Sequence, residues 1–187
     1  MKKIAVKGYV TIKQGDKVLA KYIGNHFVDA GLKGLISTIL HAWVRVVGAT
    51  VMAWRVWYDG WNIYIGSDVV TPTNLLHTGL QNPIGDAPGT APNTRSASMK
   101  EGTADGIWSV TYVATWYAGT VSGTLGETAL YMKAPDKATF GWTLSSNYDP
   151  PVVMISRLSS ADLNFSSFVI DEGLPLTVEW TVQLAFA

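Results

Sequence analysis

The chain has no cysteine, which removes disulfide frameworks, thiolate metal sites and cysteine nucleophiles together. Charge is scarce: Asp, Glu, Lys and Arg make up 15% of the 187 residues, against roughly a quarter in an average globular domain. Fourteen basic residues balance fourteen acidic ones, and no polybasic run is present. A phosphate-tracking surface is therefore not expected, and nucleic acid is not an expected partner. The longest apolar region, Ala42 to Trp57, is broken by Arg45, Gly48 and Arg55, short of the about 20 residues that span a bilayer. No membrane association and no secretory signal are expected, because Ile4 to Ile12 carries Lys7 and has no apolar h-region.

Motifs that carry chemistry are also missing. His26, His41 and His77 stand apart, with no H-x-x-x-H spacing. No P-loop, G-x-G-x-x-G or G-x-S-x-G occurs. Most aspartates (Asp16, Asp59, Asp86, Asp105, Asp136, Asp149, Asp171) sit in turn contexts, where the side chain bonds the local backbone. Glu127 and Glu179 are the strand-associated carboxylates, and a glycosidase would need two such groups at a fixed separation. The expectation is a protein without catalytic residues, metal or cofactor.

What is abundant is apolar and aromatic: 48% hydrophobic residues, eight Trp and eight Tyr. Interface cores are depleted in charge and enriched in these aromatics, so a homo-oligomer with much of its surface covered by other copies is expected. A Trp-rich core in a monomeric sandwich is the competing reading.

Alternation is the dominant pattern. Leu176, Val178, Trp180, Val182, Leu184 and Phe186 alternate with Thr177, Glu179, Thr181, Gln183 and Ala185, the period of a strand with one buried face. This stretch should be an interior strand of an antiparallel sheet. Ile4 to Ile12 and Val18 to Ile23 also read as strands, joined by a turn at Gly15-Asp16 into an N-terminal hairpin within residues 1–23. Further strands are expected at Asn62 to Gly66, Ile107 to Ala118, Thr128 to Lys133, Val152 to Leu158 and Phe165 to Ile170. Turns about every ten residues point to one mainly β domain over residues 1–187, an antiparallel β-sandwich of jelly-roll-like or Ig-like type.

One helix is expected over residues 29–43. Leu32, Leu35, Ile36, Ile39, Leu40 and Trp43 fall at helical spacing, and Asp29 can cap the first turn. The core is expected from Leu35, Ile36 and Ile39 together with Leu176, Val178, Trp180, Val182 and Leu184. Residues 81–105, dense in Pro and Gly, read as a long loop or outward arm. Asp68 to Asn74 reads as a shorter loop. Trp54, Trp57, Tyr58 and Trp61 beside Asp59 and Asn62 are candidate ligand or interface aromatics; they fit a sugar-stacking platform or ordinary buried aromatics.

Several short motifs occur in order. Gly24-Asn25-His26-Phe27-Val28-Asp29-Ala30-Gly31-Leu32 is followed by Ile63-Tyr64-Ile65-Gly66-Ser67 and Thr71-Pro72-Thr73. Gly126-Glu127-Thr128-Ala129-Leu130, Ile155-Ser156-Arg157 and Leu176-Thr177-Val178-Glu179-Trp180 come after them. This series resembles small tailed-bacteriophage structural proteins, with their N-x-V-(T/D)-x-A-G, I-x-I-G, T-x-P-T, G-E-x-x-L and L-x-V-x-W elements. The resemblance spans Gly24 to Ala187, departing at Trp43 to Trp61 and Gln81 to Asp105. It implies a non-enzymatic virion component of the tail, fibre, head accessory or decoration layer, or capsid surface, packed against its own copies and other virion proteins. The alternatives are a carbohydrate- or receptor-binding module for a host surface glycan, and a jelly-roll coat protein forming the shell.

Overall fold

The computed structural model describes residues 4–24, 27–28, 61–100, 107–133, 152–162 and 165–186. Among the described residues ten strands run in chain order: β1 (Ile4–Gln14), β2 (Lys17–Gly24), β3 (Trp61–Gly66), β4 (Thr94–Lys100) and β5 (Ile107–Trp116), then β6 (Thr124–Leu125), β7 (Glu127–Lys133), β8 (Val152–Ser159), β9 (Phe168–Val169) and β10 (Leu176–Phe186). A 3-10 turn lies at Ser160–Asp162. No α-helix occurs among the described residues. The expected helix over 29–43, with Leu35, Ile36 and Ile39, lies outside them, as do Trp54, Trp57 and Tyr58.

The alternating stretch at residues 176–186 is the centre of the larger sheet, ordered β2-β1-β10-β5-β4. It pairs antiparallel with β1 from Leu176↔Gln14 to Phe186↔Ile4 and with β5 from Leu176↔Trp116 onward. Leu184 continues this ladder opposite Val6 and Trp108. Its alternation is carried into space: Leu176, Val178, Trp180 and Val182 are buried. The opposite face is a polar ladder, with Thr177 bonded to Thr115 at 3.0 Å and Thr181 to Thr111 at 2.8 Å. On the same face Tyr9 donates to Gln183 at 2.9 Å and Lys13 pairs with Glu179. The hairpin turn at Gly15-Asp16 works because Gly15 takes φ 55°, a left-handed conformation that a side chain would strain.

A smaller antiparallel sheet, ordered β3-β7-β8, covers the apolar face of the larger one. Trp61, Ile63, Ile65, Leu130, Met132, Ile155 and Leu158 meet Val10, Ile12, Tyr112, Ala114, Trp116, Val178 and Trp180 in one core. The Trp61 and Tyr112 rings, 5.0 Å apart, join the two sheets. The result is a sandwich-like pair of antiparallel sheets. β7 is buried from Glu127 through Met132 because its outer face is covered too. There Val28, Ala129, Tyr131 and Met154 form a second cluster with Tyr64 and Leu80.

Three expectations are corrected. Residues 81–105 are not one loop: Thr94–Lys100 is strand β4, paired with β5. The preceding segment is no outward arm but folds onto the edge of β3, where the Ile84 amide donates to the Ile65 carbonyl at 3.0 Å. Thr90 follows it, and its carbonyl accepts from the Trp116 indole at 3.0 Å. Of the strand expected over 165–170, only Phe168–Val169 is extended and paired. The outer strands of the larger sheet, β2 and β4, carry exposed Lys17, Lys21, Arg95 and Lys100 and no acid. Such cationic edges resist pairing with one another.

Candidate functional site: a buried charge cluster under two apolar turns

The register of the smaller sheet sets Arg157 of β8 opposite Ala129 of β7. Glu127, two residues before Ala129, therefore lies on the same outer face as a diagonal neighbour. Both side chains are completely buried, and Arg157 Nε donates to Glu127 Oε2 at 2.7 Å. Glu127 also accepts from the amides of Gln81 at 3.1 Å and Asn82 at 2.7 Å, so a buried carboxylate is fully bonded. This contact needs space that only glycine gives. A Cβ on Gly66 would stand 2.5 Å from Glu127 Oε1 and 2.6 Å from the Asn82 carbonyl. A Cβ on Gly126 would approach the Asp68 carbonyl just as closely.

The remaining guanidinium donors reach into the segment after β3. Arg157 Nη2 pairs with Asp68 Oδ2 at 2.9 Å, and Nη1 donates to the Thr71 carbonyl at 2.9 Å. Nη1 also stands 3.4 Å from His77 Nδ1. Arg157 is thus the common support of two successive turns. In the first, Asp68 accepts from the amides of Val70 at 3.3 Å and Thr71 at 3.2 Å. In the second, Asn74 Oδ1 accepts from the Leu76 amide at 2.9 Å, and the Asn74 side-chain nitrogen stands 3.0 Å from His77 Nε2. Between them Thr73 donates from both its amide and its hydroxyl to Asp162, at 2.8 and 2.6 Å, which ties the segment to the 3-10 turn.

Each turn displays two aliphatic side chains. Val69 and Val70 are 44% and 76% exposed, and Leu75 and Leu76 are 57% and 84% exposed. Four large aliphatics on one short segment, pinned from beneath by a buried ion network, make the most concentrated apolar display among the described residues.

The electrostatics follow the geometry. Burial pulls the Asp68 carboxyl upward, but bonds from the Val70 amide and from Thr71, together with the Arg157 charge, outweigh it and leave it below the usual carboxylate range. For His77, burial and then Arg157 depress the imidazolium, and Glu127, Asp162 and Asp68 offset this only in part. Arg157 and Asp68 are occupied in holding the two turns, while Glu127 holds Arg157 and the Gln81 and Asn82 amides.

A second feature lies beside it. Tyr64 and Tyr131 meet edge to face at 5.2 Å, and the Leu80 amide donates to the Tyr131 hydroxyl at 3.1 Å. With Pro83 and Pro88 they wall an open groove of about 570 Å³. Burial raises the Tyr131 hydroxyl above its ordinary pKa, the Leu80 bond opposing this.

Of the residues singled out in the sequence, Trp61 is corrected: it is 5% exposed, packed in the core, with Arg95 stacked 5.8 Å over its ring and bonded to its carbonyl at 2.7 Å. It offers no face to a ligand. Trp116 and Trp180 are buried as well, so these three tryptophans serve the core. Glu127 and Glu179 are not brought together; one faces Arg157 and the other Lys13 on the larger sheet. His77, which looked isolated, stands against Arg157. A signal for the display was present but missed: Asp68-Val69-Val70-Thr71 and Asn74-Leu75-Leu76-His77 repeat one pattern at a spacing of six. An Asx turn heads each repeat.

Among the described residues no group of three or more His, Cys, Asp or Glu could hold a metal ion, and no helix is long and apolar enough to cross a membrane. No protein-family model, curated protein or solved structure matches this chain.

Proposed function

We propose that the chain is a non-enzymatic bacteriophage structural protein that assembles with its own copies and with other virion proteins, using the paired turns at residues 68–77 as its docking surface. The observation that carries this reading is the display of Val69, Val70, Leu75 and Leu76 on a segment anchored by the fully buried Arg157–Glu127 pair. A preordered apolar loop loses little conformational entropy on docking, which favours stable association. The residues that carry the resemblance also meet here: Gly66, Thr71, Thr73, Gly126, Glu127 and Arg157 come from separate motifs and form or line one cluster. Cationic outer strands β2 and β4 favour contact through loops rather than edge pairing. The facing sheets fit a jelly-roll-like or Ig-like virion domain.

The test is mass spectrometry of particles purified from a lysate of the producing host. The expected result is the chain in multiple copies per particle. Its abundance in the lysate with absence from the particles would overturn the reading.

A second reading, glycan or receptor binding, moves from Trp61 to the groove of Tyr64, Tyr131, Pro83 and Pro88, where the partly exposed Tyr64 ring can stack on a sugar. Loss of glycan binding in Tyr64→Ala with the fold intact would support it.

A further inference from the structure

We infer that His77 is a proton-operated latch on the docking turns: the neutral ring closes the second turn against Arg157, and the protonated ring opens it. The inference rests on the assembly reading above for its purpose, but the latch itself stands on the geometry of the ring.

Among the described residues, the groups bonded to the His77 ring are donors. Nδ1 faces Arg157 Nη1 and the Asn74 amide, each at 3.4 Å. Nε2 faces the Asn74 side-chain nitrogen at 3.0 Å. The orientation of that amide is fixed, because its oxygen already accepts from the Leu76 amide at 2.9 Å. A neutral imidazole has one acceptor nitrogen, so it accepts from the donors on one side of the ring, either Arg157 and the Asn74 amide at Nδ1 or the Asn74 side chain at Nε2, and turns its N–H toward the other. An imidazolium has none. Protonation would remove that one acceptor, so that N–H faces N–H on both sides of the ring instead of one, and would set a cation against the guanidinium.

The surrounding acids do not rescue it by direct bonding. Asp68 beside the ring is engaged by Arg157 and by the Val70 and Thr71 amides. Glu127 from β7 is filled by Arg157 and the Gln81 and Asn82 amides. Asp162 from the 3-10 turn accepts from Thr73 and from the Ser159 amide. Their charges favour the imidazolium at a distance, and burial with Arg157 opposes them more strongly.

Opening would be transmitted directly to the display. The amide of His77 donates to the Asn74 carbonyl at 3.3 Å and the Leu76 amide to Asn74 Oδ1, so displacing the ring from Asn74 loosens the turn that holds Leu75 and Leu76. Arg157 also holds Asp68 and the Thr71 carbonyl, which couples Val69 and Val70 to the same event. The inferred consequence is an assembly surface ordered at neutral pH and loosened in mild acid.

The experiment is a two-dimensional NMR titration of the full chain from pH 8 to pH 5, reading the His77 ring nitrogens and the amides of Val70 and Leu76, with His77→Gln and His77→Lys alongside. The expected result is a ring that is neutral at pH 7.5, with one unprotonated nitrogen, and that titrates below 6.5. The Val70 and Leu76 amides should move with the same midpoint. His77→Gln, which keeps an acceptor without a titration, should hold both amides in the closed position throughout. His77→Lys should hold them in the open position. A ring that titrates at or above 6.5, or amides that ignore its titration, would overturn the latch. Sedimentation velocity at pH 7.5 and 5.5 separates this from the assembly reading. Wild-type association should weaken at least tenfold in acid and that of His77→Gln should not. Association that is pH-independent sinks the latch, whereas no association at either pH beside a clear NMR transition sinks only the assembly reading.

Discussion

Replacing Arg157 by Met probes the anchoring network most severely. The Arg157 side chain is fully buried and spends its donors on Glu127, Asp68, the Thr71 carbonyl and His77. Methionine fills much of the stem volume but leaves Glu127, itself fully buried, with only the Gln81 and Asn82 amides, and leaves Asp68 without its cation. Breaking one side of a buried ion pair in this way costs about 3–5 kcal/mol. With a urea slope of about 2–3 kcal/mol per M for a chain of this size, the unfolding midpoint should fall by about 1–2.5 M. A second substitution, Glu127→Leu, removes the stranded charge and should restore part of the loss. A double-mutant cycle should then show a coupling of about 1–3 kcal/mol between two residues that are direct neighbours. Urea unfolding followed by tryptophan fluorescence reads all four proteins. A loss under about 1 kcal/mol in Arg157→Met, or strict additivity in the cycle, would refute the anchoring role.

Other substitutions test the core and the turns. Trp180→Ala should cost about 3–5 kcal/mol, because Trp180 fills the space between the sheets on the central strand; an unshifted melting curve would contradict its core placement. Tyr112→Phe should be neutral or stabilising by up to about 1 kcal/mol, since the buried hydroxyl, pushed to a high pKa by burial, has no hydrogen-bond partner; a clear loss of stability would reveal a bond that the geometry lacks. Gly66→Ala should cost about 1–3 kcal/mol through the clash with Glu127 and the Asn82 carbonyl. Its thermal midpoint, measured beside that of Gly119→Ala, where no atom lies within 4 Å of the added Cβ, separates clash from backbone strain.

The pH dependence has two separable parts. Asp68 has a folded-state pKa below its ordinary 3.8, so the stability it contributes is present above that value and is lost as pH falls through the lower, folded value. Asp68→Asn should flatten the acid limb of stability below pH 4. His77 is depressed below 6.5, so the unfolded chain takes up the proton first and stability declines as pH falls below 6.5. His77→Gln should remove that upper step alone, as read by urea midpoints between pH 8 and pH 5.

The strands that alternate cleanly were legible in the sequence because one face of each is buried and the other is not. Residues 176–186, 107–116 and the Gly15-Asp16 hairpin all follow from that contrast. β4 was not legible. Thr94-Arg95-Ser96-Ala97-Ser98 is short-chained and polar and lies beside a Pro/Gly-rich stretch; it is a strand because β5 offers it a complete ladder. The charge cluster was hidden for a different reason. Glu127 and Arg157 are 30 positions apart, and only the β7–β8 register makes them neighbours. Each alone reads as an ordinary surface charge. Trp61 misled in the opposite sense, since aromatic density marks a core as readily as a binding face. The repeated turns were visible as letters, but the exposure of their aliphatic residues depends on Arg157, which lies far along the chain.

The central claim, that the turns at residues 68–77 drive assembly, is tested most directly by sedimentation velocity over a range of concentrations on the wild type and on Val70→Asp/Leu76→Asp. Both positions are highly exposed, so the double variant should fold with a stability change of about 1 kcal/mol or less. The account predicts a wild-type oligomer that falls to monomer in the variant at neutral pH. A wild-type monomer at every concentration, or an oligomer that survives both aspartates unchanged, would contradict it.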